Sequence, residues 1–398
     1  MLPDPTVGAG LAPALRSHSL KPYLMLDAWR GFASIWVVLV HASLIIGVLF
    51  PDLAHSPVFV LCSRGGLGVQ MFFVISGYCI ASAAGSAVRH NHGFLGFMRA
   101  RVKRIYPAYW LAFLLYALLA ITSSWLVASG HLKSSILGDH DPARQPWPYT
   151  VSNLLLVQAP FGQSYLVGVS WTLCYEVFFY ALVGLGLLCW KCKGEPNILS
   201  SLHALTAASL LLLVFAPERR AFPLDMWPQF GLGILLYDCL KHPGQLRPRA
   251  WAAGIALLVL VFVGRWDIPI GTLGEPGRLT YSVALAFAAA LFWLHRFDTL
   301  LAKNAVIKVF STIGLFSYSL YLMHVLCLGL LNQVAKRAHL PHSLAYAWLL
   351  LSLLLAIAAG RLFYHFCERP FLKGNRAAIL EPARDAPPPV PAASVTVK

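Results

Sequence analysis

Ten stretches of roughly twenty apolar residues recur along this 398-residue chain, near 32–50, 66–84, 105–128, 164–190, 200–216, 222–240, 250–266, 279–295, 311–331 and 344–366. A hydrocarbon core about 30 Å thick takes about 20 residues of α-helix, so each stretch is long enough to cross a bilayer. With 58% hydrophobic and 12% charged residues, the chain has too little polar surface to close a soluble globule. Runs such as Ser209 to Ala216 lack the polar residue at every second position that a transmembrane barrel places in its lumen. Backbone groups in lipid must be satisfied within their own segment, so the predicted fold is all-α: a polytopic transmembrane bundle of about ten spanning helices.

Topology accounts for the net charge of +15 better than nucleic acid does. With ten spans and the N-terminus inside, most of the 31 Lys and Arg residues fall in inner segments. The densest cluster, Arg99, Arg101, Lys103 and Arg104, falls in a predicted short inner loop, which places both termini in the cytoplasm. Residues 1–25 lack the continuous apolar core of a cleavable signal and read as a flexible tail. Residues 26–372 read as one membrane domain, and 373–398, with four prolines between Ala386 and Ala392, as a second tail. The eight cysteines lie mostly within spans and act there as small apolar residues; Cys189 and Cys192 form a C-x-x-C with no completing ligands, so no metal site is expected. The longest outer connection, about Ser129 to Gln163, has room for a short re-entrant or interfacial helix where an acceptor meets the protein.

An ionisable side chain inside a bilayer costs about 2.5 to 3.5 kcal/mol on insertion scales, so each one needs a reason. Arg30 and His41 are eleven residues apart, which on a helix puts both on one face with a rise of roughly 16 Å. Arg30 then lies at the inner surface and His41 near the midplane. Glu176, about twelve residues into the fourth stretch, and His324, in the ninth, reach a similar depth. Three such groups at one level predict a polar pocket in the bundle interior, although a lone buried imidazole is equally well explained by a bond to a helix carbonyl. An imidazole suits the removal of a proton from an attacking hydroxyl, and a carboxylate such as Glu176 could hold its tautomer. Arg101 and Arg104 share one helix face and are suited to clamp phosphates; the same spacing also serves topology or contact with anionic lipid. Gly65, Gly66 and Gly68, followed by Phe72 to Gly77, place small residues beside aromatics and read first as helix packing.

Taken in order, five segments resemble the acyltransferase 3 family, the membrane acyltransferases that modify bacterial surface and exported glycans. They are Leu26-Asp27-Ala28-Trp29-Arg30-Gly31 with His41 following, Phe72 to Gly77, Arg101 to Pro107, Trp171 to Glu176, and Ser317 to His324, and they span most of residues 23–371. The departures are Ala28 and Trp29, where small and aliphatic residues are usual, and Thr172, where Ser is commoner; none removes an ionisable group.

The resemblance implies ten helices, cytoplasmic acyl-CoA as donor, most commonly acetyl-CoA, and an essential Arg30 and His41. It leaves open whether His41 is general base or acyl carrier. Some similar proteins carry a soluble esterase-like domain after the membrane part, which this chain is expected to end too early to hold. On this reading His41, Glu176 and Arg30 are catalytic, Arg101, Arg104 and Arg30 bind the donor, and Asp27, Ser76, Trp171, Tyr321 and His324 contact substrate. Asp27 pairs more readily with Arg30, one turn away, than with His41. The expected partners are acyl-CoA, a carbohydrate acceptor, membrane lipid and glycan-assembly proteins, in a bacterial inner membrane. The rival reading is a flippase or transporter of a lipid-linked glycan in which the midplane His and Glu relay protons; no inverted repeat of the transporter kind is visible.

Overall fold

A computed structural model of the chain describes residues 23–372, apart from 91–92, 133–134, 137–139, 190–193, 217–220, 266–267 and 269–276. The two predicted tails therefore lie almost wholly outside the described residues, as does Cys192 of the C-x-x-C pair. The described residues form helices and connecting turns, without a strand. In order these are α1 (Leu26–Leu49), α2 (Pro57–Ser63), α3 (Gly68–Arg89), α4 (Gly93–Ala128), α5 (Trp147–Leu155), α6 (Trp171–Cys189), α7 (Glu195–Phe215) and α8 (Trp227–Lys241). There follow α9 (Leu246–Gly264), α10 (Arg278–Leu294), α11 (Asp298–Leu301), α12 (Ala305–Gly314), α13 (Ser317–Arg337), α14 (Ala345–Phe363) and α15 (Arg369–Leu372).

Among the described residues, nine helical stretches are long and apolar enough to cross a membrane: α1, α2 with α3, α4, α6, α7, α9, α10, α13 and α14. The chain is a multi-pass integral membrane protein. The sixth predicted stretch, 222–240, forms α8, whose 15 residues span about 22 Å. Every residue from Trp227 to Asp238 is buried, because α8 is enclosed by α3, α7, α9 and α10. An apolar surface all round a helix suits a protein-lined interior as well as lipid.

Close approach of α3 and α8 depends on two glycines. A Cβ at Gly77 would strike the carbonyl oxygen of Phe230, and one at Gly233 would strike that of Val74. The same arrangement joins α1 to α12, where Gly31 meets the Phe310 carbonyl and Gly314 meets that of Asp27. The obstacles are backbone atoms, which cannot rotate aside. Gly77→Ala is therefore expected to cost about 1–3 kcal/mol by overpacking, read as a lower unfolding temperature of the detergent-solubilised protein; an unchanged temperature would show that α8 slides freely.

Charged clusters join the other ends of these helices. Asp238, fully buried on α8, accepts from His203 Nε2 of α7 (2.9 Å), His242 Nδ1 (2.8 Å) and Arg247 of α9 (2.7 Å). Glu195 at the start of α7 accepts from Tyr237 (2.9 Å) and Lys241 and pairs with Arg89 of α3 (3.4 Å). The start of α1 is pinned by Asp298, whose two carboxylate oxygens accept from the backbone N–H groups of Leu24 (2.7 Å) and Met25 (2.9 Å). A carboxylate there meets free donors and the positive end of the helix dipole.

The long connection predicted on the outer side, residues 129–163, contains a helix, α5. Its last carbonyls accept from three aromatic side chains of α4: Asn153 from Tyr109 (2.7 Å), Leu154 from Trp110 (3.0 Å) and Leu155 from Tyr106 (2.9 Å). Asn153, fully buried, then gathers the return segment by donating to Ser164 O and accepting from Leu166 N, both at 2.9 Å.

Candidate active site

The basic cluster expected in a short inner loop lies instead within α4, which is already helical from Gly93. Helical spacing divides it: Arg99 and Lys103 are exposed, while Arg101 is buried and Arg104 half-buried on the opposite side. The inward pair faces a cavity between α1, α3, α4, α6 and α13 with about 100 Å³ open to water. Arg30, Arg101 and Arg104 all line it, together with Ser76, Glu176 and Tyr321.

Each cation sits differently. Arg30 donates to Asp27 Oδ1 at 2.8 Å, the pairing expected one turn away, and to Cys79 Sγ at 2.9 Å. Arg101 lies 5.9 Å from the ring centroids of both Phe97 and Tyr180, and its buried Nε has no hydrogen-bond partner among the described residues. Arg104 forms no hydrogen bond or ion pair among them. Arg30 is already paired with Asp27, and the one carboxylate among the residues lining the cavity is Glu176, which accepts from Ser76 Oγ at 2.6 Å and from the Tyr180 hydroxyl. The cavity thus presents cationic donors in excess of its internal acceptors, an arrangement suited to a multiply charged anion.

Residue counting along the spans predicts Glu176 beside His41 at one depth. Glu176 instead bonds Ser76 and Tyr180 in the arginine-lined cavity, and the neighbour of His41 is His324. His41 Nδ1 lies 2.9 Å from Val37 O and 3.4 Å from His324 Nε2, with ring centroids 4.9 Å apart. His324, fully buried, has its Nδ1 2.7 Å from Tyr321 O and 3.2 Å from Leu320 O. The carbonyl bond expected of a structural imidazole is therefore present, and a second ring is present with it.

Tyr321 connects the two groups. It lines the cavity, its ring lies 5.8 Å from His324 and 6.3 Å from Phe72, and its hydroxyl donates to Val169 O at 2.8 Å and sits 2.6 Å from Thr172 Oγ1. Thr172, the departure from the commoner Ser, keeps a hydroxyl where this contact needs one. Asp27 and Trp171 are placed outside the cavity wall, Trp171 packing edge-on to Tyr175 with centroids 6.0 Å apart.

Several participants carried no expectation. Tyr180 stands one helical turn from Glu176, a signal the i, i+4 rule offers. Cys79 and Tyr318 line the cavity, and Tyr318 donates to Ile105 O at 2.9 Å. Buried Glu368, in a π-helical turn at the end of α14, accepts from Ser319 Oγ. Among the described residues no group of three or more His, Cys, Asp or Glu side chains gathers in a way that could hold a metal ion.

Comparison with known proteins bears on what these groups do. A family model described as "Acyltransferase domain", Acyl_transf_3, matches residues 23–364, from the pinned start of α1 into the π-helical turn. The chain belongs to this acyltransferase family. It is similar to the exopolysaccharide production protein ExoZ of Rhizobium meliloti (strain 1021), at 27% identity over 79% of this chain and 91% of that one. It is also similar to an O-acetyl transferase of Shigella phage Sf6, at 25% identity over 87% of this chain and 95% of the relative. With O-acetyltransferase OatA of Staphylococcus aureus (strain NCTC 8325 / PS 47), identity is 27% over 87% of this chain, and the match spans 57% of the length of OatA. No solved structure matches the acyltransferase.

Proposed function

We propose that this acyltransferase moves an acyl group, most simply acetyl, from cytoplasmic acyl-CoA to a hydroxyl of a carbohydrate such as an exopolysaccharide, an O-antigen or a lipid-linked glycan. The observation that carries the reading is the pairing of a cavity lined by three arginines, Arg101 with its buried Nε unpartnered among the described residues, with a histidine pair beyond its Tyr321 wall. Arg101, Arg104 and Arg30 receive the phosphates of coenzyme A through charge-assisted bonds. Arg30 and His41 lie on one continuous helix, α1, separated by a rise of roughly 16 Å. The extended pantetheine arm of coenzyme A bridges such a distance, so phosphates held at Arg30 bring the thioester toward His41.

His41 takes the proton of the acceptor hydroxyl as its oxygen attacks the thioester carbon. Collapse of the tetrahedral intermediate breaks the C–S bond, and the proton passes to the departing thiolate. Glu176, held by Ser76 and Tyr180, serves as counter-charge to the arginines. The names of ExoZ and of the two O-acetyltransferases support a carbohydrate acceptor and an acetyl cargo. The positive-inside bias of the sequence supports an inner-membrane location with both termini in the cytoplasm, and glycan-assembly proteins as neighbours.

The test is release of free coenzyme A from acetyl-CoA by the purified protein in nanodiscs, with and without glycan extracted from the host. Glycan-dependent release, with acetyl recovered on the carbohydrate, is the expected result. If a folded sample releases no coenzyme A from acetyl-, succinyl- or branched acyl-CoA, the donor assignment fails, and glycan movement without acylation becomes the reading to test.

A further inference from the structure

The hydrogen-bond partners of the two imidazoles determine which nitrogen carries each proton. His324 Nδ1 faces two backbone carbonyls, Tyr321 O at 2.7 Å and Leu320 O at 3.2 Å, and carbonyls only accept. In the neutral ring Nδ1 is then the N–H, and Nε2 presents a lone pair. That lone pair lies 3.4 Å from His41 Nδ1, which also faces Val37 O at 2.9 Å. His41 Nδ1 is thus surrounded by acceptors and must carry the hydrogen. Its Nε2 is left with a lone pair and has no hydrogen-bond partner among the described residues.

We propose that His324 is a positioning residue for the acyl transfer: it fixes His41 in the tautomer whose Nε2 is free to take a proton. This inference rests on the reaction assigned above and deepens it. When the acceptor hydroxyl transfers its proton to Nε2, His41 becomes an imidazolium. The His324 lone pair, already directed at Nδ1–H, then bonds to a charged donor, and such bonds are the stronger ones. The task is the one a carboxylate performs in a Ser-His-Asp triad. Here a neutral ring performs it, so no second charge has to be buried in the apolar core. The support for His324 is itself backbone: Tyr321 supplies the carbonyl and is anchored through its hydroxyl to Val169 and Thr172. The line of control runs from the cavity wall to the proton on His324, and from there to the lone pair on His41.

Two substitutions of similar bulk separate this role from packing. In His324→Gln the side-chain oxygen can still accept from His41 Nδ1–H; in His324→Leu nothing can. The acyltransferase in nanodiscs is assayed with acetyl-CoA and host glycan for kcat and for the KM of acetyl-CoA. The expected result is a kcat for His324→Leu lower by on the order of 10²-fold, with the donor KM within twofold of wild type, and a recovery of at least tenfold in His324→Gln. A His324→Leu variant that keeps its kcat, or a His324→Gln variant as impaired as His324→Leu, would overturn the proposal. A second readout needs no turnover: ¹⁵N spectra of histidine-labelled protein report which ring nitrogen of His41, assigned through His41→Gln, is unprotonated. The proposal requires an unprotonated Nε2 in the wild type and loss of that fixed state in His324→Leu; a protonated Nε2 in the wild type overturns it. If no acyl-CoA is consumed even by wild type, the reaction assignment fails, and the ¹⁵N result still decides the tautomer.

Discussion

His41→Ala is expected to lower acceptor-dependent release of coenzyme A by about 10²- to 10⁴-fold, the range a positioned general base contributes. The side chain is not part of the cavity lining, so binding of acetyl-CoA should be preserved. The measurement is a pre-steady-state progress curve for each protein, with and without glycan, on samples of matched unfolding temperature. If the wild type also releases one equivalent of coenzyme A per protein without glycan, and the variant loses that burst, His41 carries the acyl group covalently. Release by the variant at the wild-type rate would remove His41 from the chemistry.

The second large effect belongs to the arginines. Each charge-assisted hydrogen bond is worth about 1.5–3 kcal/mol, or about ten- to a hundredfold in affinity. Arg101→Ala combined with Arg104→Ala should therefore weaken binding of coenzyme A itself by on the order of 10²-fold or more, measured by calorimetry without turnover. Arg101→Lys should recover only part of the loss, since an ammonium cannot replace a planar, bidentate guanidinium already packed between Phe97 and Tyr180. Undiminished affinity in the double variant would mean that the phosphates bind elsewhere and that the basic cluster acts on topology alone.

The two variants touch parts of the molecule that the sequence reveals unequally. Apolar length identified the membrane helices, because lipid imposes it directly, and at 222–240 the helix is shorter than a hydrocarbon core is thick. There α8 is enclosed by protein, and hydropathy does not distinguish protein from lipid. Helical spacing put Arg101 and Arg104 on one face, but which face turned inward depended on how α4 packs against α6. Counting residues along the spans predicts His41, Glu176 and His324 at one level, but a count leaves the angle about each helix axis undefined. That angle gave Glu176 to Ser76 and the arginines, and His324 to His41. Asp298 and Glu368 had no legible role, since their partners are a backbone terminus and a serine 49 or more residues away. Motif order carried what spacing could not, because the five segments converge on one end of the cavity and one ring pair.

The seam between α5 and α4 limits how this enzyme could be re-engineered or diversified. Residues 147–170 look like an exchangeable outer loop, the natural unit to transplant from a relative with a different acceptor. Their carbonyls are read by Tyr106, Tyr109 and Trp110, the first of which follows Arg104 by two residues on the same helix. A graft confined to the loop keeps these bonds only if its backbone presents three carbonyls at the same positions. If the loop meets the acceptor and Arg104 the donor, as proposed, this strip of α4 ties the two together, and a chimera that moves the strip with the loop keeps the seam intact.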